Sequence, residues 1–455
     1  MDWTGKRVAV VGLGRSNVAL ARYLYGRGAT LVGFDAKTAA ELGDRYQILA
    51  ALPGLEFSLG PGYLERLTGF DTIFVTPGIK KHLPELKRAR AEGAVLSSET
   101  ALFLELCRAP VVGITGSSGK TTTTTLVGQM LAAAGDRPVY VGGNIGQVLI
   151  ELVEDIPDHA WVVLELSSFQ LQLVRSSPHL AALLNLRPNH LDVHCSYDEY
   201  VESKCRIFHH QRPGDWLVFN ADDPEVVRHS LGSPAGRAGF SRKGPVRPGA
   251  FLQDGVLVGA VGAIEEPILQ ARELLIPGDH NVENALAAST LALLAGARPQ
   301  TIGQVLSTFA GVEHRLELVR VLDGVRYVND SIATSPDRTA AALRTVPGGV
   351  LLIAGGYDKG LDFDELARVM EGKVRVLVTL GTTAPRIEAA VSRLPAKGRP
   401  VVVRARDLAE AVVSARHHGQ DGETVLLSPA CASFDMFANF EERGQAFKDL
   451  VHALH

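Results

Sequence analysis

The sequence predicts an α/β protein of three domains: a Rossmann-like N-terminal domain, a central P-loop ATPase-type parallel sheet with a small antiparallel annex, and a Rossmann-like C-terminal domain. Three observations carry the prediction. Short runs of Val, Ile and Leu alternate with helical stretches, the pattern of βα units around parallel sheets. A glycine-rich turn follows such a run twice, at Gly12-Leu13-Gly14 and at Gly116-Ser117-Ser118-Gly119. The 455 residues exceed what a single hydrophobic core organises. Boundaries are expected to separate residues 1–108, 109–310 and 311–455.

Residues 6–11 read as a buried strand, and Gly12-Leu13-Gly14-Arg15-Ser16-Asn17 turns it into a helix running to about Arg27. The next strand, TLVGFD, ends in Asp35. This order copies the opening of a dinucleotide-binding βαβ unit, in which a helix N-terminus and free amides accept phosphate. The third small residue of that fingerprint is Asn17 here, so diphosphate binding and a plain structural turn both stand. Residues 71–75 form another strand, ending in the tight turn Thr76-Pro77-Gly78-Ile79, whose amides are available to a phosphate. Ala109-Pro110 reads as a linker.

The central domain opens with VVGITGSSGKTTTTTL, residues 111–126. Gly116 and Gly119 let the backbone gather its N–H groups around one point at a helix N-terminus. Lys120 adds a full charge at the β/γ-phosphates, and the Thr121 hydroxyl, followed by Thr122, is placed for Mg²⁺. The spacing is T-G-x-x-G-K-T, with Ile114 where the usual P-loop has its first glycine, but strand, glycines, lysine and hydroxyls fall in the order an ATP site requires. Glu165 stands near the C-terminal end of the apolar run of residues 161–166, where a carboxylate is costly unless paired; in a phosphate site its usual partner is a metal, the alternative being a hydrogen bond to a neighbouring loop. After a strand expected at residues 183–186 come two histidines and an aspartate within eight residues. No second ligand cluster accompanies them, which argues against zinc. His190 reads as a metal-facing or phosphate-contacting residue and His194 as structural. On the helix of residues 197–210, Lys204 shares an inward stripe with Tyr200 and Phe208, where desolvation lowers a lysine pKa, although by itself the position reads first as a snorkelling lysine. Residues 233–262 form the antiparallel annex, and PGDHNVEN then opens a helix with Asn281 and Asn284 in its first turn.

In the third domain, strands at residues 325–329, 350–354, 374–380, 401–403 and 424–428 alternate with helices. Their exits carry Asp330-Ser331, Gly355-Gly356-Tyr357-Asp358-Lys359-Gly360 and Ser428-Pro429-Ala430-Cys431-Ala432-Ser433. Open α/β sheets bind ligands at those carboxyl ends.

Composition sets the bounds. The chain is 46% hydrophobic and 21% charged with a net charge of −4, which argues against a nucleic-acid or membrane-surface binder. No apolar run reaches a membrane span and the start enters a strand at once, so neither signal peptide nor membrane segment is expected. Four cysteines without CxxC spacing fit a reducing cytoplasm.

ITGSSGKTT, GGNIG, ELSSFQ, NHLDVH, YxxxK, NADDP, GDHNVENALAA, GVEHRLE, NDSIATSP, GGYDKGLDF and LSPACASFDMFANFEERG occur in order from Ile114 to Gly444. The chain thereby resembles the Mur ligases of peptidoglycan synthesis, and its last two motifs resemble the branch that adds D-glutamate. The resemblance implies ATP and two Mg²⁺ ions as cofactors, with UDP-N-acetylmuramoyl-L-alanine and D-glutamate as substrates of a cytoplasmic monomer. It implies phosphate binding by Gly116, Ser117, Ser118, Gly119, Lys120, Thr121 and Thr122. It implies metal ligation by Thr121, Glu165, His190 and Lys204, the last as a carbamate. Adenine and ribose contacts fall on Asn281, Asn284, Arg315 and Asp330. The UDP-sugar falls on Gly14, Arg15, Ser16, Asp35 and Gly78, with Asn144, Ser167 and Gln170 near the muramoyl-alanine. D-glutamate falls on Thr334, Lys359, Ser433, Phe434 and Phe440. Two residues depart from the family pattern: Ser118 lacks the amide of the usual asparagine, and Ile332 stands where many relatives have lysine. The mechanism implied is an acyl phosphate attacked by an amine, with the third domain closing over the second. Mur ligases for other amino acids and folylpolyglutamate synthase share the ATP core. A dehydrogenase, suggested by GxG alone, would need no ATP.

Overall fold

Valine-rich runs of the first domain form β1 (Arg7–Val11), β2 (Thr30–Asp35), β3 (Glu56–Leu59), β4 (Thr72–Val75) and β5 (Val95–Ser97). The computed structural model describes residues 2–188, 194–357 and 361–455, and at Ile264 the backbone alone. The five strands pair in the order β3-β2-β1-β4-β5, all parallel. The direction of winding reverses between β1 and β4, so a crevice opens at their carboxyl ends. The helix Arg15–Tyr25 packs on this sheet and the helix Glu99–Leu106 packs on that helix, burying Leu20, Leu24, Leu102 and Phe103 in one apolar cluster. The same apolar cluster continues through Val111 and Val162 to Leu183 in the next sheet. Continuity of that core places the first two sheets in one compact unit, Met1–Phe309, and Ala109 is buried within it.

The central sheet holds β6 (Val111–Thr115), β7 (Val139–Gly143), β8 (Trp161–Glu165), β9 (Leu180–Leu183), β10 (Trp216–Asn220), β11 (Gly236–Ser241), β12 (Gly249–Gln253), β13 (Val256–Val261) and β14 (Ile264–Gln270). Their order is β14-β13-β12-β11-β10-β9-β6-β8-β7. Two expectations change. The strand expected at residues 183–186 begins at Leu180, since pairing sets its span: Leu180 lies opposite Val112 and Leu183 opposite Thr115, where β6 ends. Leu180 to Leu186 is almost uniformly apolar and buried, so hydrophobicity alone did not mark the end of pairing. The annex is a continuation of the main sheet. β11 joins β10 and β12 joins β11 in parallel, and only β12, β13 and β14 pair antiparallel, reaching Gln270. The helix Asp279–Leu294, buried from Asn284 to Leu293, packs on the helix Lys120–Ala134 and against β11, β12 and β13.

The second unit, Ala310–His455, contains β15 (Glu317–Leu322), β16 (Val325–Asn329), β17 (Val350–Gly355), β18 (Val374–Leu380), β19 (Val401–Arg404) and β20 (Thr424–Leu427). The order is β15-β16-β20-β17-β18-β19. All pairs are parallel except β15 with β16, a hairpin closed at Asp323-Gly324 with both residues at positive φ. That strand was not anticipated, although Asp-Gly between apolar runs is a strong two-residue hairpin signal. Among the described residues, no helix is long and apolar enough to cross a membrane.

Candidate active site

The helix Lys120–Ala134 starts from Gly119, which holds φ at +80° in the left-handed region that glycine enters without steric cost. A Cβ at Gly119 would lie 2.2 Å from Asn284 Oδ1, so a side chain is excluded on two counts. Asn284 Nδ2 donates to Asn281 Oδ1 (3.1 Å), and Asn281 Nδ2 donates to the Pro277 carbonyl (2.8 Å). This chain of amides brings the two predicted nucleotide-contacting asparagines against the loop. Lys120 Nζ folds back to donate to the carbonyls of Gly116 (2.9 Å) and Ser117 (3.3 Å). Thr121 is buried in the first helical turn, beside Thr122.

A brace from beyond β9 sets the loop's shape. Ser117 N–H donates to the Asn185 carbonyl (3.0 Å) and Ser118 N–H to Asn185 Oδ1 (2.8 Å), while Asn185 Nδ2 donates to the Ser118 carbonyl (3.2 Å). The Ser117 hydroxyl meets Arg187 N–H and Tyr200 OH, each at 2.8 Å. Asn185, which sequence reasoning passed over, thus supplies an amide next to the position where Ser118 lacks one.

Lys204 arrives on the helix Tyr197–His209 with Tyr200 and Phe208, all three buried as the stripe predicts. Its Nζ donates to the Gly116 carbonyl at 2.9 Å and lies 4.7 Å from the Tyr200 ring centroid. Lys120 and Lys204 therefore share one carbonyl. Burial, then the charge of Lys120, hold the Lys204 pKa well below the ordinary lysine value. Glu165 ends β8, its Oε1 accepting from Asn144 Nδ2 at 2.8 Å, while Oε2 is buried with no hydrogen-bond partner among the described residues. A carboxylate oxygen buried without a donor suits a cation far better than an apolar strand end. Among the described residues no group of three His, Cys, Asp or Glu assembles. A Mg²⁺ ion beside a triphosphate takes only one or two carboxylates, so this donor set suits it.

Other predicted residues are already engaged. His190 lies outside the described residues. His194 is buried, stacked on Phe169 at 5.0 Å, with Nε2 3.0 Å from Ser168 Oγ, in keeping with a structural role. Ser167 and Gln170 form a capping box on the short helix Ser168–Leu171. In the first domain, Asp35 accepts from the N–H groups of Leu13 (2.7 Å) and Lys37 (2.9 Å), so its carboxylate shapes the glycine turn. Asn17 Nδ2 donates to the carbonyls of Val11 (3.1 Å) and Gly12 (2.8 Å), which explains a buried amide where the fingerprint has a small residue. Gly14 caps the helix whose first turn carries Arg15 and Ser16, and Gly78 lies across the crevice after β4.

In the second unit, the strand order places the exits of β16, β20 and β17 side by side. Asp330 Oδ2 accepts from Ser428 Oγ (2.8 Å) and Oδ1 from Leu316 N–H (3.2 Å). Burial raises its pKa to about 6, with Arg315 and Arg338 opposing. Arg338, unnoticed in the sequence, also donates to the Ile332 carbonyl (3.2 Å), bringing positive charge to the position where lysine is missing. Buried Arg443 donates to the Ser331 hydroxyl (3.0 Å) and carbonyl (2.9 Å) and to the Cys431 carbonyl (3.2 Å). Ser433 is buried, Phe434 is exposed beside Tyr357, and Phe440 opens the helix Phe440–His452, its carbonyl accepting from Ser331 Oγ. Thr334 N–H donates to the Ile332 carbonyl, and Lys359 lies outside the described residues.

Three family models match in order along the chain. The Mur ligase MurD-like N-terminal domain covers residues 6–97, the Mur ligase middle domain residues 114–292, and the Mur ligase glutamate ligase domain residues 314–431. A protein of Symbiobacterium thermophilum named UDP-N-acetylmuramoylalanine--D-glutamate ligase is 54% identical over 99% of this chain and 98% of its own length. The chain belongs to the Mur ligase family. A relative of the same name from Acetivibrio thermocellus is 45% identical over 99% of this Mur ligase and 97% of its own length. Among solved structures, the UDP-N-acetylmuramate-alanine ligase MurC from Thermotoga maritima aligns with a TM-score of 0.54 at 19% identity, covering 98% of this chain and 99% of that one. The MurF ligase from the same organism, in complex with ADP, aligns with a TM-score of 0.53 at 17% identity over 98% and 95%. At those identities the likeness is one of fold, and it matches the three α/β domains of this Mur ligase.

Proposed function

We propose that this Mur ligase adds D-glutamate to UDP-N-acetylmuramoyl-L-alanine in cytoplasmic peptidoglycan precursor synthesis, using ATP and passing through an acyl phosphate. The observation that carries the reading is the set of relatives bearing this activity's name, 54% and 45% identical over nearly the whole chain. The meeting of Lys120 and Lys204 at the Gly116 carbonyl, with Glu165 near enough to act on the charge of Lys204, supports it. The L-alanine carboxylate attacks the γ-phosphorus, ADP leaves, and the D-glutamate amine displaces phosphate from the acyl phosphate to form the amide.

The chain's own part is to bind, orient and balance charge. Lys120 exchanges its carbonyl partners for phosphate oxygens. The Gly119 turn and the helix behind it direct N–H groups at the triphosphate, and Asn281 and Asn284 bound the nucleotide beside them. Thr121, Glu165 and carbamylated Lys204 would hold Mg²⁺, with His190 as a further ligand, and the bound ion supplies neutralisation of the crowded phosphate oxygens. A neutral Lys204 amine adds to CO₂, forming an N–C bond and losing a proton, so a buried amine becomes an anionic ligand. The UDP-sugar occupies the crevice of Gly14, Arg15, Ser16 and Gly78, with Asp35 shaping the loop and Asn144, Ser167 and Gln170 toward its alanyl end. Arg315 and Asp330 serve the nucleotide. Thr334, Lys359, Ser433, Phe434 and Phe440 serve D-glutamate. The protein works as a monomer on these small molecules.

Phosphate release from ATP with UDP-N-acetylmuramoyl-L-alanine tests the reading, with D-glutamate, L-glutamate, L-lysine, meso-diaminopimelate and L-alanine supplied separately. Release with D-glutamate alone is expected. Release with another amino acid would keep the ligase and overturn the acceptor. Silence with all five would redirect attention to folate-type substrates.

A further inference from the structure

The segment leaving β4 holds a lysine with no role in the steps above. Half-buried Lys81 donates from Nζ to the carbonyls of Thr76 (2.8 Å), Pro77 (3.2 Å) and Ile79 (2.7 Å). Among the described residues no carboxylate pairs with it. Burial alone lowers its pKa to about 8, so an ammonium sits under the turn with dipoles around it and no counter-charge.

A count of the turn's polar groups shows what remains for a ligand. Thr76 N–H donates to the Val11 carbonyl (2.9 Å) and Ile79 N–H to the Thr76 carbonyl (3.2 Å), while Pro77 has no N–H. The Gly78 N–H has no acceptor among the described residues. A Cβ built at Gly78 would meet nothing within 4 Å, so the surface there is open. The turn stands against the first glycine loop, since a Cβ on Gly12 would fall 2.4 Å from Thr76 Cγ2 and 3.3 Å from Ile79 Cδ1. Both loops leave β1 and β4 at the switch point, where the helix Arg15–Tyr25 also presents its N-terminus. The other end of the segment is fixed by His82, whose Nδ1 lies 3.6 Å from Cys195 Sγ. A free amide and a helix N-terminus border one crevice, and a cation without a carboxylate partner lies under the turn that carries the amide, a combination that stabilises an anion.

We propose that Lys81 is a positioning residue for the diphosphate of the UDP-sugar. By fastening three carbonyls it presents the amide edge of the Thr76–Ile79 turn and leaves positive charge beneath it. The inference rests on the UDP-sugar reading above. A purely structural lysine would support the fold without singling out one substrate.

Full-length wild type, Lys81→Arg and Lys81→Gln are compared for KM of all three substrates and for calorimetric binding of UDP-N-acetylmuramoyl-L-alanine without ATP. Lys81→Gln keeps two N–H donors for the turn and removes the charge. We expect it to weaken UDP-sugar binding about tenfold, the loss of one favourable charge contact, with KM for ATP and D-glutamate within about twofold and Lys81→Arg near wild type. An unchanged KM for the UDP-sugar, or an equal rise in all three, would overturn the proposal. Wild-type protein that binds no UDP-sugar would instead overturn the reading beneath it. A second measurement needs no variant: at pH 8, UDP binding to wild type should take up as much as about half a proton as the lysine regains its charge. Heats in two buffers of different ionisation enthalpy read this, and no uptake counts against Lys81. Its loss in Lys81→Gln separates Lys81 from the exposed Lys80, His82 and Cys195 nearby.

Discussion

At the scale of single residues, the carbonyl of Gly116 is where two lysines meet. Lys120→Ala removes the mobile charge of the loop and should abolish phosphate release while UDP-sugar binding, measured by calorimetry, persists. Lys204→Ala should be equally inactive for a different reason, and a small carboxylate such as formate in the buffer should restore part of the rate. A folded Lys204→Ala protein that formate leaves silent would rule out the carbamate. Asp330 makes a prediction about pH. Its folded pKa of about 6 lies above the ordinary aspartate value of about 3.9. From about pH 4 to 6 the unfolded chain has released a proton that the native state still holds, so stability falls as pH rises through that window and levels off above it. The contribution is of order 2–3 kcal/mol. Asp330→Asn should lack it, so the Tm difference between variant and wild type should move in the variant's favour between pH 4.5 and 6.5.

At the scale of elements, the junction of the glycine loop with its helix tolerates little. Gly119→Ala would put a methyl group 2.2 Å from Asn284 Oδ1 at a positive φ, so a loss of several kcal/mol or displacement of the loop is expected. Thermal unfolding and KM for ATP would detect either, and unchanged values for both would refute the packing argument. The strands were largely legible, because parallel sheets bury both faces and leave uninterrupted Val/Ile/Leu runs. Legibility failed where burial and pairing part company, as at Leu184 to Leu186, which stay apolar after the ladder with β6 has ended. It failed again at β15, whose Leu318 and Val321 face solvent, although Asp323-Gly324 announced the hairpin. At the site, residues whose chemistry is unusual for their place stood out in the sequence: Glu165 on an apolar strand, Lys204 on an aromatic stripe. The residues that brace the loops did not. Asn185 and Arg338 act through backbone partners far off in sequence or hidden in turns, and an amide or guanidinium aimed at a carbonyl leaves no periodic trace.

At the scale of the whole molecule, the chain divides at Phe309 and Ala310, while the first two sheets share an apolar core. Limited proteolysis with a protease of broad specificity should therefore cut first near residue 310, giving fragments of about 309 and 146 residues. Early cleavage near residue 109 would contradict the shared core, since Ala109 is buried there.

The meeting of His82 with Cys195 has a practical consequence. Of the four cysteines, Cys107 is partly covered, Cys205 and Cys431 are buried, and Cys195 alone is exposed. A maleimide dye would thus react first at Cys195 on the native protein, ahead of the partly covered Cys107, without any cysteine being engineered away. Hydrogen bonding to Glu199, the largest of several causes, raises the pKa of this thiol, so labelling should be slow at neutral pH and quicken in mild alkali. A fluorophore there would sit on the seam between the first sheet and the central one, beside the turn that Lys81 holds. Its emission would follow occupancy of that crevice in real time, turning the wild-type sequence into its own binding sensor.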